Sequence, residues 1–273
     1  MARNSKAGKQ LHIISAGHAI FALTMIALGI IGFIKGDFTP TWGGVYKSFP
    51  AQTALAYLCA VVSVVSGFGL LWQRTSLFAS RLLLIYLLLW LLIFRVSYIF
   101  MHPIAPEAWW AFGDTAVMLA ATWVLYIWFA GEQQSHFRFA TGDKSLRIAR
   151  LFYGFALIPF GAAHFIFLKR SLEVIPGWIP WHLFWAYATG CFFIAAGIAI
   201  LIGIFARLAA ALSVLMMVLF TVIVWIPIIL AHPGAFDWLE LYDSCALMAG
   251  GWVVADSYRR MPWFAMPSLA GSE

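Results

Sequence analysis

Apolar runs of membrane-crossing length, separated by short polar loops, make up most of the chain. Eight can be read directly, at roughly 12–34, 52–72, 82–101, 109–130, 150–168, 182–204, 208–230 and 238–257. A hydrocarbon core about 30 Å thick needs about 20 apolar residues to cross it as a helix. In lipid only a helix satisfies all of its own backbone groups. The pattern therefore predicts an all-α membrane protein with eight transmembrane helices.

The pattern also recurs. His102-Pro103 is followed by Trp109, Asp114 and Trp123, and His232-Pro233 by Trp238, Asp243 and Trp252. Both stretches read Trp-x4-Asp-x8-Trp. Pro40-x-Trp42 after the first run is matched by Pro176-x-Trp178 after the fifth, and Arg81 before the third by Arg207 before the seventh. Runs one and five carry closely spaced glycines, Gly29 and Gly32 in one and Gly154 and Gly161 in the other. Such spacing suits close helix approach. A tandem duplication follows, with residues 1–131 as the first four-helix unit, 132–149 as a polar, basic linker and 150–273 as the second. Four crossings per unit is an even number, so both units insert the same way round, as parallel repeats.

Composition agrees with a bilayer as solvent. Hydrophobic residues are 63% of the chain, charged residues 10%, and mean hydropathy is +0.90, whereas soluble domains are about 25% charged. The excess of 17 Lys and Arg over 11 Asp and Glu is not a nucleic-acid signature, because its distribution follows the loops. The N-tail, even loops and C-tail hold Arg3, Lys6, Lys9, Arg74, Arg81, Arg138, Lys144, Arg147, Arg150, Arg207, Arg259 and Arg260. The odd loops hold Lys35, Lys47, Lys169 and Arg170. This positive-inside bias places both termini in the cytoplasm of a bacterial-type inner (plasma) membrane. The basic N-terminus and first run imitate a signal peptide, but the run continues to Ile34 and reads as an uncleaved first helix. Cys59, Cys191 and Cys245 all lie within runs, with no C-x-x-C, and read as packing residues.

Four-span units with a Gly-rich first helix, an extracytoplasmic Pro/Trp loop and a polar start to the fourth helix resemble the DoxX/DoxD-like membrane proteins, here with the unit in tandem. The resemblance implies an integral membrane subunit, associated with quinol oxidase or thiosulfate–quinone chemistry, with membrane redox complexes, or with assembly of other membrane proteins. It carries over no catalytic motif.

Ionisable groups inside the runs are the candidate chemistry, since each costs roughly 2.5–3.5 kcal/mol on insertion scales unless paired or hydrated. Arg95 lies seven residues before His102 and Asp114 five residues after Trp109. At 1.5 Å per residue they sit about 10 Å and 7.5 Å from neighbouring helix ends. A structural Arg95–Asp114 ion pair is expected. The second unit has Trp225 seven residues before His232, so Asp243 lacks the equivalent cation. His164 falls at comparable depth, and Glu240 lies one turn above Asp243.

The expected ligand pocket therefore lies in the second unit, between runs five, six and eight. Asp243 and His164 form its floor and His182, Trp178 and Trp238 its mouth. Quinone or proton-relay use of Asp243 and His164 competes with metal ligation by the outer histidines (His102, His164, His182, His232). The third reading is purely structural, and no spacing of the H-x3-H kind favours a metal. Trp109, Trp110, Trp178, Trp181, Trp238 and Trp263 read as interfacial belt residues. Two functions follow: an accessory or assembly subunit of a membrane redox complex with no covalent chemistry of its own, or a quinone-reactive subunit or small-molecule transporter with a pocket near the outer surface. The expected surroundings are the bilayer and another membrane or redox subunit, not nucleic acid. Reporter fusions after Arg138 and after Arg260 should both report cytoplasm and a fusion at Glu107 the opposite side; an outside signal at Arg138 breaks the four-plus-four topology.

Overall fold

The computed structural model describes residues 11–43, 45, 49–132, 140–231 and 234–265. It is all-helical, at 81% helix, with no strand among the described residues. The helices are α1 (Ala16–Lys35), α2 (Gln52–Leu71), α3 (Ser76–Met101), α4 (Pro106–Glu132), α5 (Asp143–Ile166), the short α6 (Leu168–Val174), α7 (His182–Ile202), α8 (Ala206–Ala231) and α9 (Ala235–Ser257). Seven of them, α1 to α5 with α7 and α8, are long and apolar enough to cross a membrane. The eighth expected run is a helix of 23 residues, but it carries Asp237, Glu240, Asp243 and Asp256 and is not among the seven. Its carboxylates, not its length, set it apart.

Local signals explain the helix ends. Ser15 caps α1 by accepting from the His18 backbone N–H at 3.1 Å, and Gly36 closes it in the left-handed region at φ 63°. That conformation carries no penalty for glycine. Helices α3 and α8 each contain one π-helical stretch, Leu91–Val96 and Phe220–Trp225. The stretches begin 129 residues apart (220 − 91), the same interval as between Asp114 and Asp243 (243 − 114). In α8 the π turn directly precedes Pro227, whose ring clashes with the carbonyl four residues earlier and forces the turn open. No proline follows Arg95 in α3, and π turns of this kind are frequent at functional sites.

Helix order follows from packing. Consecutive helices pair as α1–α2, α2–α3 and α3–α4, then α5–α7, α7–α8 and α8–α9. Between these two sets α4 packs on α5 and α9, and α1 packs on α9. Helix α4 is therefore central, with 72% of its span buried inside the protein against 22% for α8. Small residues permit the contacts. At the α4–α9 crossing a Cβ on Gly250 would stand 2.8 Å from Val117 Cγ1. At α5–α7 a Cβ on Gly161 would stand 2.5 Å from the Gly190 carbonyl oxygen.

Gly161→Val should accordingly cost about 1–3 kcal/mol through overpacking and lower the thermal midpoint in detergent. Gly131, whose Cβ position has nothing within 4 Å, should accept alanine without loss. Equal midpoints for both variants would contradict the α5–α7 contact.

Candidate functional site

The α4–α9 contact brings the two repeated aspartates within electrostatic reach of each other. Asp114 lies eight residues into α4 (114 − 106) and Asp243 eight into α9 (243 − 235), each about 12 Å from its helix start. The two helices run the same way, toward the crossing at Val117 and Gly250. Asp243 lies within electrostatic reach of Asp114, Glu240 and Arg95, and Arg95 within reach of both aspartates. Four ionisable groups from α3, α4 and α9 thus converge at the end of the bundle that carries the cation-poor loops.

Arg95 is 3% exposed. Its Nε donates to Thr115 Oγ1 at 2.9 Å, and its Nη2 donates to the Pro40 carbonyl at 3.3 Å. The Pro40 carbonyl belongs to a 3-10 turn, Pro40–Trp42, that folds back into the bundle and touches both α4 and α9. Trp42, buried to 1%, anchors the turn by donating its indole N–H to Ser63 Oγ at 2.8 Å and packing edge-on against Tyr86 and Trp90. The π stretch carries Arg95, the inserted turn supplies its carbonyl, and Thr115 supplies its hydroxyl.

The direct Arg95–Asp114 ion pair expected from sequence is not formed. Among the described residues, the pairs within 4 Å are His12–Glu132 at 2.9 Å and Arg170–Glu173 at 3.7 Å. Neighbouring residues on a helix point about 100° apart, and Arg95 engages Thr115 rather than Asp114. Asp114 Oδ1 is buried with no hydrogen-bond partner, as are Thr39 Oγ1 and Thr41 Oγ1 on and beside the inserted turn. The side chains of Asp114, Glu240 and Asp243 are half-buried. Their ionised forms need donors, which their protein neighbours do not supply in full.

The second-half pocket expected around Asp243 is not assembled. His164 on α5 turns to its own helix and to aromatic rings of α7 and α8. Its Nδ1–H donates to the Phe160 carbonyl at 2.8 Å, and its ring lies 6.0 Å from those of Phe193 and Phe220. His164 is not among the groups acting on Asp243. His182 donates to the Pro176 carbonyl at 3.2 Å, and Trp178 is 74% exposed. Trp238 stays near the site's outer edge, its ring 5.7 Å from that of Tyr242. His102 is exposed, and His232 lies outside the described residues. No three His, Cys, Asp or Glu side chains among the described residues converge closely enough to hold a metal ion.

Where the α3 stretch holds Arg95, the same interval of 129 places Val224 in α8. Ser244, the residue after Asp243, pairs instead with Thr221 at 2.6 Å. The sequence marked Pro40 and Trp42 only as a repeat match, not as part of a site, and Thr41 and Thr115 were missed. The Pro-Thr-Trp tripeptide was the available signal for the turn, but its second-half match Pro176-x-Trp178 stays at the surface. A shallow depression of about 410 Å³ lined by Phe68, Gly69, Trp72, Arg74 and Thr75 lies at the opposite end of the bundle, beside the α2–α3 loop.

No protein-family model matches the chain, and no curated protein and no solved structure matches it either.

Removing Arg95 alone strands its acidic neighbours. Arg95→Leu should cost about 3–5 kcal/mol, the usual loss on breaking a buried charge arrangement from one side. Arg95→Leu with Asp114→Leu should be clearly milder. Thermal unfolding in detergent reads the difference, and equal losses would show that the two charges do not compensate each other.

Proposed function

We propose that this chain is a multi-pass inner-membrane protein of eight crossings whose work is done at the Arg95–Asp114–Asp243–Glu240 cluster, as a site that takes up and releases protons together with a small ligand reached from the outer face. The observation that carries the reading is the set of half-buried carboxylates facing a single buried guanidinium, with Asp114 Oδ1 unbonded. Charges of this kind inside an apolar bundle are costly, and a protein that only scaffolds a partner has no need of them.

Several features support the eight-crossing arrangement. Helix α9 has 23 residues, about 34 Å of helix against a core of about 30 Å. It packs on α1, α4 and α8, so its carboxylates turn toward protein. The shared interval of 129 between the π stretches and between the aspartates supports two four-helix units, 1–131 and 150–273, in parallel orientation. Loop charge supports cytoplasmic termini and an outward-facing cluster. The resemblance to DoxX/DoxD-like proteins fits a four-helix unit as building block. A transporter-type site deep between helices fits the cluster better than the accessory-subunit role.

Infrared difference spectra of the reconstituted protein across a pH series test the reading. The wild type should show a carboxylic-acid carbonyl band that comes and goes with pH, and Asp243→Asn should remove or shift it while leaving the helical amide bands unchanged. A wild-type spectrum with no titrating acid band rules the reading out.

A further inference from the structure

This inference rests on the proton-handling reading of the same cluster and names what the proton is exchanged for. Asp114, Glu240 and Asp243 come from α4 and α9. The cations facing them are Arg95 from α3, already bonded to Thr115 and Pro40, and Arg170 from α6, which acts on Glu240 and is shared with Glu173. Helix α8 contributes Thr221, whose hydroxyl pairs with Ser244 of α9. Asp237 is occupied as the first-turn cap of α9, accepting from the Gly234 N–H at 3.0 Å. Carboxylate therefore exceeds cation, and inside an apolar bundle the excess is neutralised either by protons or by a bound positive charge.

Two further observations indicate which positive charge fits. The chain's own cations already lie on the aromatic rings that interleave these acids on α9. Arg170 Cζ is 4.2 Å from the Phe236 ring centroid, and Lys35 Nζ is 5.0 Å from that of Tyr242. Phe236 lies one turn before Glu240 on α9, so a carboxylate and an aromatic ring share a face there, an environment that recognises organic cations through charge and ring quadrupole together. Thr41 Oγ1, on a residue 1% exposed, has no partner on the turn that touches both α4 and α9. The acids do not close to a metal's coordination distance.

We infer that the cluster binds a small organic cation, an ammonium or guanidinium, from the cation-poor face, and releases a proton when it does so. The balance is simple. The cation enters, one carboxylic O–H gives its proton to bulk water, and the net charge of the site is unchanged. Returning the proton expels the cation.

The test uses the full-length protein in mild detergent and benzyltrimethylammonium as probe, with its uncharged isostere neopentylbenzene as control. Calorimetry in two buffers of different ionisation enthalpy counts the protons released. The wild type should bind the ammonium and not the isostere, and release about one proton. Its affinity should fall about tenfold per pH unit once the acid is filled, as linkage of one proton requires. Asp243→Asn and Glu240→Gln should each weaken binding about tenfold or more, a change of at least 1.4 kcal/mol.

Absence of binding, equal binding of the isostere, or binding with neither proton release nor pH dependence overturns the inference. Should either variant fail to fold, the wild-type pH series and the isostere still decide. An infrared acid band that titrates in a protein that ignores the ammonium leaves the proton site standing and removes only the cation. A protein with neither signal loses both readings.

Discussion

Helix α4 lies against α9, and that contact puts two aspartates within electrostatic reach of each other inside an apolar bundle. Ionised carboxylates are tolerated there only with cations, hydrogen-bond donors or bound occupants. The rest of the site answers that requirement in part. A π stretch delivers Arg95, a buried turn offers its Pro40 carbonyl, and Thr115 supplies a hydroxyl. What these do not neutralise remains for protons or a ligand, and this remainder is the basis of the functional reading.

Helices α1–α4 and α5–α9 hold their polar groups differently. In the first, the Pro40–Trp42 turn inserts and is locked by Trp42 on Ser63. In the second, Trp178 stays exposed beside the α6–α7 connection, and Thr221 with Ser244 occupies the level that Arg95 and Thr115 hold in the first. Arg95 in α3 has Val224 at the corresponding place in α8, so the buried guanidinium is present on one side of the site and not on the other. His164, a half-buried polar group of α5, is absorbed by Phe160 and two phenylalanine rings.

Some of this was legible in the chain. The apolar runs are long because the bilayer is thick, so seven spans stood out, although α3 and α5 begin six and seven residues before the runs read at 82 and 150 (82 − 76, 150 − 143). The glycines expected to allow close approach do so, Gly29 against α2 and Gly161 against α7. The singled-out residues Arg95, Asp114, Asp243 and Glu240 form the cluster because charges in apolar runs are visible without any structure. The ion pair was misjudged because depth along two helices does not fix the azimuth of each side chain, and Arg95 reaches the residue next to Asp114. The pocket was misplaced because partners were sought within each half, whereas Asp243 on α9 is met by Arg95 of α3 and Asp114 of α4, and His164 is turned onto Phe160, Phe193 and Phe220.

The sequence by itself determined the solvent, the helical class, the spans and which residues are chemically costly, because each follows from local composition and the period of a helix. Which helices touch was decided only in three dimensions. It depends on small surfaces, such as Gly250 against Val117 or the Pro40–Trp42 turn under α4 and α9, whose fit no single segment encodes. Tertiary packing therefore chose Asp114, Glu240 and Arg95 as the company of Asp243, and left the histidines outside.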